Sequence, residues 1–197
     1  MSKAQIRKAR PEDAAQVAEV CADYVANTTA SLDITPPTAE QMEEKIRSLG
    51  ADYPFLVCEV DGKVVAYAYA FRRFEESTFD WSVFLSTFVA SALGSKGIGR
   101  ALLEALEEVL RTMGVVNLYS LASSNSQSEY FHMARGFTEA GRLREALYKQ
   151  GKWRDLVYYQ KSLALHDKDP APVRPVGVLD EAELEKLFRR AERAIKL

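Results

Sequence analysis

The chain has 197 residues, 47% of them hydrophobic and 27% charged, with a formal net charge of -2, enough for one domain with a well-buried core. Acidic and basic residues are balanced throughout, which argues against a nucleic-acid partner. No apolar run reaches membrane length, and Met1-Ser2-Lys3-Ala4-Gln5 lacks a secretory apolar segment, so the expectation is a cytoplasmic protein with no membrane partner.

A short strand begins at Ile6, and Pro11-Glu12-Asp13 opens a helix with acids suited to its first turn. Ala14, Val17, Val20, Cys21 and Val25 keep helical spacing. A polar loop from Asn27 to Pro37 precedes a second helix capped by Thr38, with Glu40 and Gln41 beside it. Phe55 to Val60 and Lys63 to Phe71 read as a hairpin, because Asp61-Gly62 supplies the positive φ angles of a two-residue turn. Cys21 and Cys58 sit in apolar runs and read as packed free thiols; no metal site is expected.

A further strand, about Trp81 to Val89, runs into a small-residue loop, and Gly97 and Gly99 open a strongly amphipathic helix. Leu102, Leu103, Leu106, Val109, Leu110 and Met113 take one side of it; Glu104, Glu107, Glu108 and Arg111 take the other. A strand, a glycine turn and a helix start in succession aim backbone N–H groups and the positive end of the helix dipole at one point, which suits a phosphate-bearing ligand. The spacing matches neither a triphosphate-binding loop nor a dinucleotide fingerprint, whose third glycine would fall at Leu102. The glycines taken alone equally suit a turn without a ligand.

Gly114 ends that helix, and Val115 to Leu121 reads as the next strand. A short helix from about Ser126 stops at Gly136, and β runs from Phe137 to Tyr148 and Trp153 to Leu163 are joined at Gln150-Gly151. The order β-α-α-β-β-β-α-β-α-β-β is that of an α+β domain around one mixed sheet, here over 1–165. Residues 166–178, with Pro170, Pro172 and Pro175, read as an extended linker, and 179–197 as an amphipathic helix. Its apolar side (Leu179, Ala182, Leu187, Ala191, Ala194) must dock on this body or on a second copy.

The element order and Gly94-Ser95-Lys96-Gly97-Ile98-Gly99 resemble the GCN5-related N-acetyltransferase (GNAT) superfamily over about residues 3–163. The likeness is strongest to its phosphinothricin and methionine-sulfoximine acetyltransferases. Tyr24-x-x-Asn27-Thr28, Tyr53-Pro54-Phe55-Leu56-Val57, Phe79-Asp80-Trp81-x-Val83, Asn125-x-x-Ser128-x-x-x-His132-x-x-x-Gly136-Phe137 and Tyr148-Lys149-x-Gly151-x-Trp153-x-Asp155 carry it, in one colinear order. Gly94 departs from the first position of the motif.

The resemblance implies a mostly antiparallel sheet splayed to admit acetyl-CoA, acetyl transfer to a small amine acceptor, and pairing of two copies. It implies a diphosphate on the N–H groups of Ser95, Lys96, Gly97, Ile98, Gly99 and Arg100, with Lys96 and Arg100 as cations. Thr87, Phe88 and Val89 would hydrogen-bond the pantetheine arm, an N–H near Phe88 would polarise the thioester, and Asn125 would contact the cofactor. His132 would protonate or stabilise the departing thiolate, or else be a packed histidine bonded to a carbonyl; His166 reads as inert.

Two slots depart from the subgroup. Its general-base glutamate falls at Phe84, which accepts no proton. Three readings follow: Glu75, Glu76 or Asp80 relays the proton through water; the acceptor amine has a low pKa; or transfer is lost and the protein binds acyl-CoA without catalysis. The acceptor's anion clamp is also displaced, leaving Arg72 and Arg73 either as that clamp or as a solvated strand end. Leu32, Phe74, Phe84 and Trp153 are candidates for a more apolar acceptor pocket.

Overall fold

The computed structural model describes residues 3–29, 31–93, 96–124 and 126–197. In chain order the elements are β1 (Ala4–Lys8), α1 (Ala14–Asn27), α2 (Ala39–Leu49), β2 (Phe55–Val60), β3 (Lys63–Phe71), β4 (Ser82–Val89), α3 (Ile98–Met113), β5 (Asn117–Ser123), α4 (Gln127–Ala134), β6 (Thr138–Lys149), β7 (Lys152–Ser162) and α5 (Glu181–Glu192). The strands form one seven-stranded sheet in the order β1-β2-β3-β4-β5-β7-β6, antiparallel everywhere except between β4 and β5.

Local chemistry accounts for most of these elements. Asp61 (φ 50) and Gly62 (φ 84) make the two-residue turn of the β2–β3 hairpin. Thr38 and Gln41 form a reciprocal capping box at the start of α2, with the Thr38 N–H donating to Gln41 Oε1 at 2.9 Å. At α1, Asp13 accepts the Arg10 N–H at 2.8 Å. Asp13 also takes both arms of the Arg7 guanidinium at 2.6 and 2.8 Å, which ties β1 to the helix start. Gly97 (φ 78) and Gly114 (φ 96) open and close α3 in conformations that suit glycine.

Two apolar layers cover the sheet. α1 and α2 pack on Phe55, Val57, Tyr67 and Tyr69 from one face, and α3 and α5 on Leu56, Ala68, Leu85 and Leu118 from the other. Three details add to or revise the sequence reading. α5 docks on its own subunit through Leu184, Phe188 and Ala191, a set at helical spacing, while Ala182 is exposed. The proline-containing stretch before it is extended but fastened: Trp81 Nε1 donates to the Ala171 carbonyl at 2.8 Å, Arg174 N–H to Met113 at 2.8 Å, and Val176 N–H to Asp52 at 3.1 Å. Glu107 is not on a solvated face; it is 4% exposed and takes Lys161 Nζ at 2.7 and 2.8 Å, which a counter-charge from β7 makes tolerable.

Candidate active site

The parallel pair β4–β5 is in register over only three positions, Ser82 with Asn117, Val83 with Leu118 and Phe84 with Tyr119. β4 stays on β3 as far as Val89 and β5 stays on β7 as far as Ser123. The sheet is therefore split beyond Phe84, and the split opens beside the start of α3. Strand alternation fixes which main-chain groups face it. The Trp81 carbonyl accepts from Val116 and Asn117 on the β5 side at 3.0 and 2.9 Å, whereas the Ala90 N–H donates to Val65 on the β3 side at 2.8 Å. Odd-numbered residues thus turn their peptide groups toward the split and even-numbered ones toward β3. The Leu85 C=O and the N–H and C=O groups of Thr87 and Val89 face it; the Phe88 main chain is turned to Tyr67, its register partner.

Three buried hydroxyls border this region, Thr87 Oγ1, Ser123 Oγ and Ser126 Oγ, and none has a hydrogen-bond partner among the described residues. Buried polar atoms are rarely left so, and together with the unpaired strand edges they suit a ligand that carries amides and carbonyls along its length. At one end of the split, the first turn of α3 leaves the N–H groups of Ile98, Gly99 and Arg100 without intrahelical carbonyls. Gly99 is wedged between β4 and α4: a Cβ there would lie 3.1 Å from Val89 Cγ2 and 3.5 Å from Phe131 Cε2. The Arg100 guanidinium is paired with Glu104 at 2.7 Å, and Lys96 is exposed. Ser95 and Asn125 lie outside the described residues.

On the opposite face a cavity of about 150 Å³ lies between the α1–α2 loop and the β6–β7 hairpin, lined by Ser31, Leu32, Ile34, Leu147, Tyr148 and Lys149 among others. Ser123 lines it too, so the cavity meets the split at that residue. Lys149 Nζ donates to the carbonyls of Ser31 and Asp33 at 2.9 and 2.8 Å and holds the loop over the cavity. Burial pushes the Lys149 ammonium below its usual range, countered in part by the Asp33 charge. No carboxylate lines this cavity among the described residues.

Phe84 is 5% exposed and sits in an aromatic cluster, stacked on Tyr119 at 5.4 Å and flanked by Phe71 at 6.0 Å and Phe74 at 6.2 Å. The Arg73 guanidinium stands 5.4 Å from its ring centroid. Arg72 is engaged in its own loop, donating to the Phe74 and Glu75 carbonyls and pairing with Asp80 at 2.9 Å. Trp153 is 62% exposed and packs on Tyr148 at 5.3 Å, outside the cavity that Leu32 lines.

His132 is 5% exposed and stacks on Tyr159 at 5.3 Å. Its Nδ1 lies 2.6 Å from the Ser128 carbonyl, which only accepts, so Nδ1 bears the proton and Nε2 the lone pair. Burial holds the imidazole below its ordinary pKa, with the Ser128 bond opposing in part. A neutral ring in this tautomer has no proton at Nε2 to give a thiolate.

Comparison with known proteins agrees with this architecture. An acetyltransferase (GNAT) domain model matches residues 6–158. The chain is 31% identical over 173 residues to the phosphinothricin N-acetyltransferase of Streptomyces viridochromogenes, covering 87% of this chain and 94% of that one. It is 34% identical over 167 residues to the L-methionine sulfoximine/L-methionine sulfone acetyltransferase of Salmonella typhimurium, covering 82% and 95%. A crystal structure of a GNAT superfamily phosphinothricin acetyltransferase from Sinorhizobium meliloti in complex with acetyl-CoA superimposes with a TM-score of 0.78 at 25% identity, covering 88% of this chain and 98% of that one.

Proposed function

The chain belongs to the acetyltransferase (GNAT) family and is an acetyl-CoA-dependent N-acetyltransferase of amino-acid-like amines; we propose that its acceptor is an α-amino acid with a compact apolar side chain. The observation that carries this reading is the cavity joined to the sheet split at Ser123, with Leu32, Ile34 and Leu147 as walls and Lys149 as its cation. Two of the three Lys149 N–H donors are taken by carbonyls; the third is left for the acceptor's carboxylate.

In this reading acetyl-CoA lies in the split. Its diphosphate rests on the N–H groups at the start of α3, and Thr87 and Val89, rather than Phe88, bond the pantetheine arm and polarise the thioester carbonyl. The amine nitrogen attacks that carbonyl, the C–N bond forms, the C–S bond breaks, and the proton left on the attacking nitrogen passes to the departing CoA thiolate, which leaves as the thiol. Phe84 accepts no proton, and the acceptor cavity offers no carboxylate among its described walls. The ammonium therefore loses its proton to water before attack, helped by the like charge of Lys149. His132 shapes this region as a fixed neutral ring. Arg73 acts through Phe84, and Trp153 with Tyr148 braces the hairpin that carries Lys149.

The exposed Leu143, Tyr148 and Trp153 of that hairpin support pairing of two copies through it, a reading tested by sedimentation of Trp153→Ser. Buried free thiols at Cys21 and Cys58 support a reducing, cytoplasmic setting. A thiol-release assay with acetyl-CoA tests the acceptor. Leucine and methionine should exceed their decarboxylated amines in kcat/KM by at least about tenfold, about 1.4 kcal/mol, and should exceed glutamate. Equal values for the amines and the amino acids would reject the role of Lys149.

A further inference from the structure

We infer that the main chain of residues 193–197 buttresses the glycine turn of the cofactor site from outside: the Lys196 main-chain N–H orients the Lys96–Gly97 peptide so that the Gly97 N–H faces the diphosphate. The inference rests on the reading above of acetyl-CoA at the start of α3. Beyond Glu192 the chain makes a tight turn, with Ala194 N–H on Ala191 at 3.1 Å and Ile195 N–H on Glu192 at 3.0 Å. It then crosses the glycine turn, and the Lys196 N–H donates to the Lys96 carbonyl at 2.9 Å.

A trans peptide is planar, with its C=O and N–H pointing to opposite sides. Fastening the Lys96 carbonyl toward residue 196 therefore turns the Gly97 N–H away from that segment, to the open side of the turn. No acceptor takes that N–H among the described residues, and it continues the row of N–H groups at Ile98, Gly99 and Arg100, which have no acceptor among those residues either. The contact also requires glycine at 97. Beyond the positive φ, a Cβ at that position would fall 2.8 Å from the Ala194 carbonyl oxygen.

The fastening is itself anchored. Phe188 and Ala191 are buried, Ile195 packs against the same core, and the Ile6 N–H of β1 donates to Glu192 Oε1 at 2.7 Å. The segment lies outside residues 6–158, which match the family, so this chain supports its glycine turn with residues the family match does not include. Residues 194 and 196 act on the cofactor only through the turn, as positioning residues.

Lys196→Pro removes the N–H, whereas Lys196→Ala keeps it. We expect Lys196→Pro to raise the acetyl-CoA KM, and the CoA dissociation constant by calorimetry, about tenfold, the loss of roughly one hydrogen bond to a charged group. kcat and the acceptor KM should stay within about twofold, and Lys196→Ala should bind acetyl-CoA as the unaltered enzyme does. Should the proline variant not fold, deletion of residues 196–197 removes the same donor. An acetyl-CoA KM within twofold of normal in the variant lacking the N–H overturns the inference, as does an equal defect in Lys196→Ala, which would assign the effect to charge. Failure of the unaltered enzyme to bind CoA at all would refute the proposed cofactor site instead.

Discussion

Replacing Gly99 by glutamate probes the proposed cofactor site where the start of α3 meets β4 and α4. The new Cβ lies 3.1 Å from Val89 Cγ2, so the valine must give by a few tenths of an ångström. The carboxylate then enters the mouth of the split beside the helix start. A negative charge about 5 Å from a phosphate at an effective dielectric of about 20 costs roughly 3 kcal/mol. Halving this for ionic screening at a half-exposed turn leaves about 1.5 kcal/mol, about a tenfold loss of acetyl-CoA affinity, before any crowding of Val89 is added. Folding should not suffer in proportion. α3 has no acid in its first turn, and a glutamate there gains about 0.3–1 kcal/mol from the helix dipole. Calorimetric titration with CoA, read beside the melting temperature of the free protein, separates the two effects. A Kd within threefold of normal in a variant that folds would refute the placement of the diphosphate.

Lys161→Met leaves Glu107 buried with only Arg111 at 3.6 Å and should cost about 3–5 kcal/mol, near 10 °C in Tm. The double variant with Glu107→Leu should recover most of it, and a single-variant loss under 2 °C would contradict the buried pair. His132, held below its usual pKa by burial, binds no proton in the folded state at a pH where the unfolded chain does. Stability should therefore be full above about pH 6.5 and fall as the pH drops below it; in melts between about pH 7.5 and 5, His132→Gln should flatten that slope, and an identical slope would reject it. Phe84→Glu should lower Tm by disrupting the stack on Tyr119 and move the rising limb of the pH–rate profile toward acid. An unmoved limb would show that transfer does not wait on the acceptor's own deprotonation.

Features set by neighbouring residues were readable in the sequence. The Asp61-Gly62 hairpin, the Thr38–Gln41 cap and the Gly97-to-Gly114 span of α3 all stand where turn and capping chemistry put them. What escaped depends on partners far along the chain. Glu107 reads as a solvent-facing residue until Lys161, 54 positions on, is folded against it. Lys149 lay within a recognisable string, yet its grip on Ser31 and Asp33, 118 and 116 positions away, leaves no local trace. The same holds for the fastening of residues 171–177 and for the docking of α5 through Leu184 and Phe188. The direction of the β4 peptide groups needed the register on both sides of the strand, and on that register the proposed thioester contact falls to Thr87 and Val89 rather than Phe88.

A crystal structure of the complex with acetyl-CoA tests the account most directly. It should place the pantetheine amides against the main chain of Thr87 and Val89, with the diphosphate on the N–H groups of residues 97–100 and the acetyl group facing the cavity at Ser123. A cofactor found outside the β4–β5 split, or bonded to the Phe88 main chain with Thr87 and Val89 unused, would contradict it.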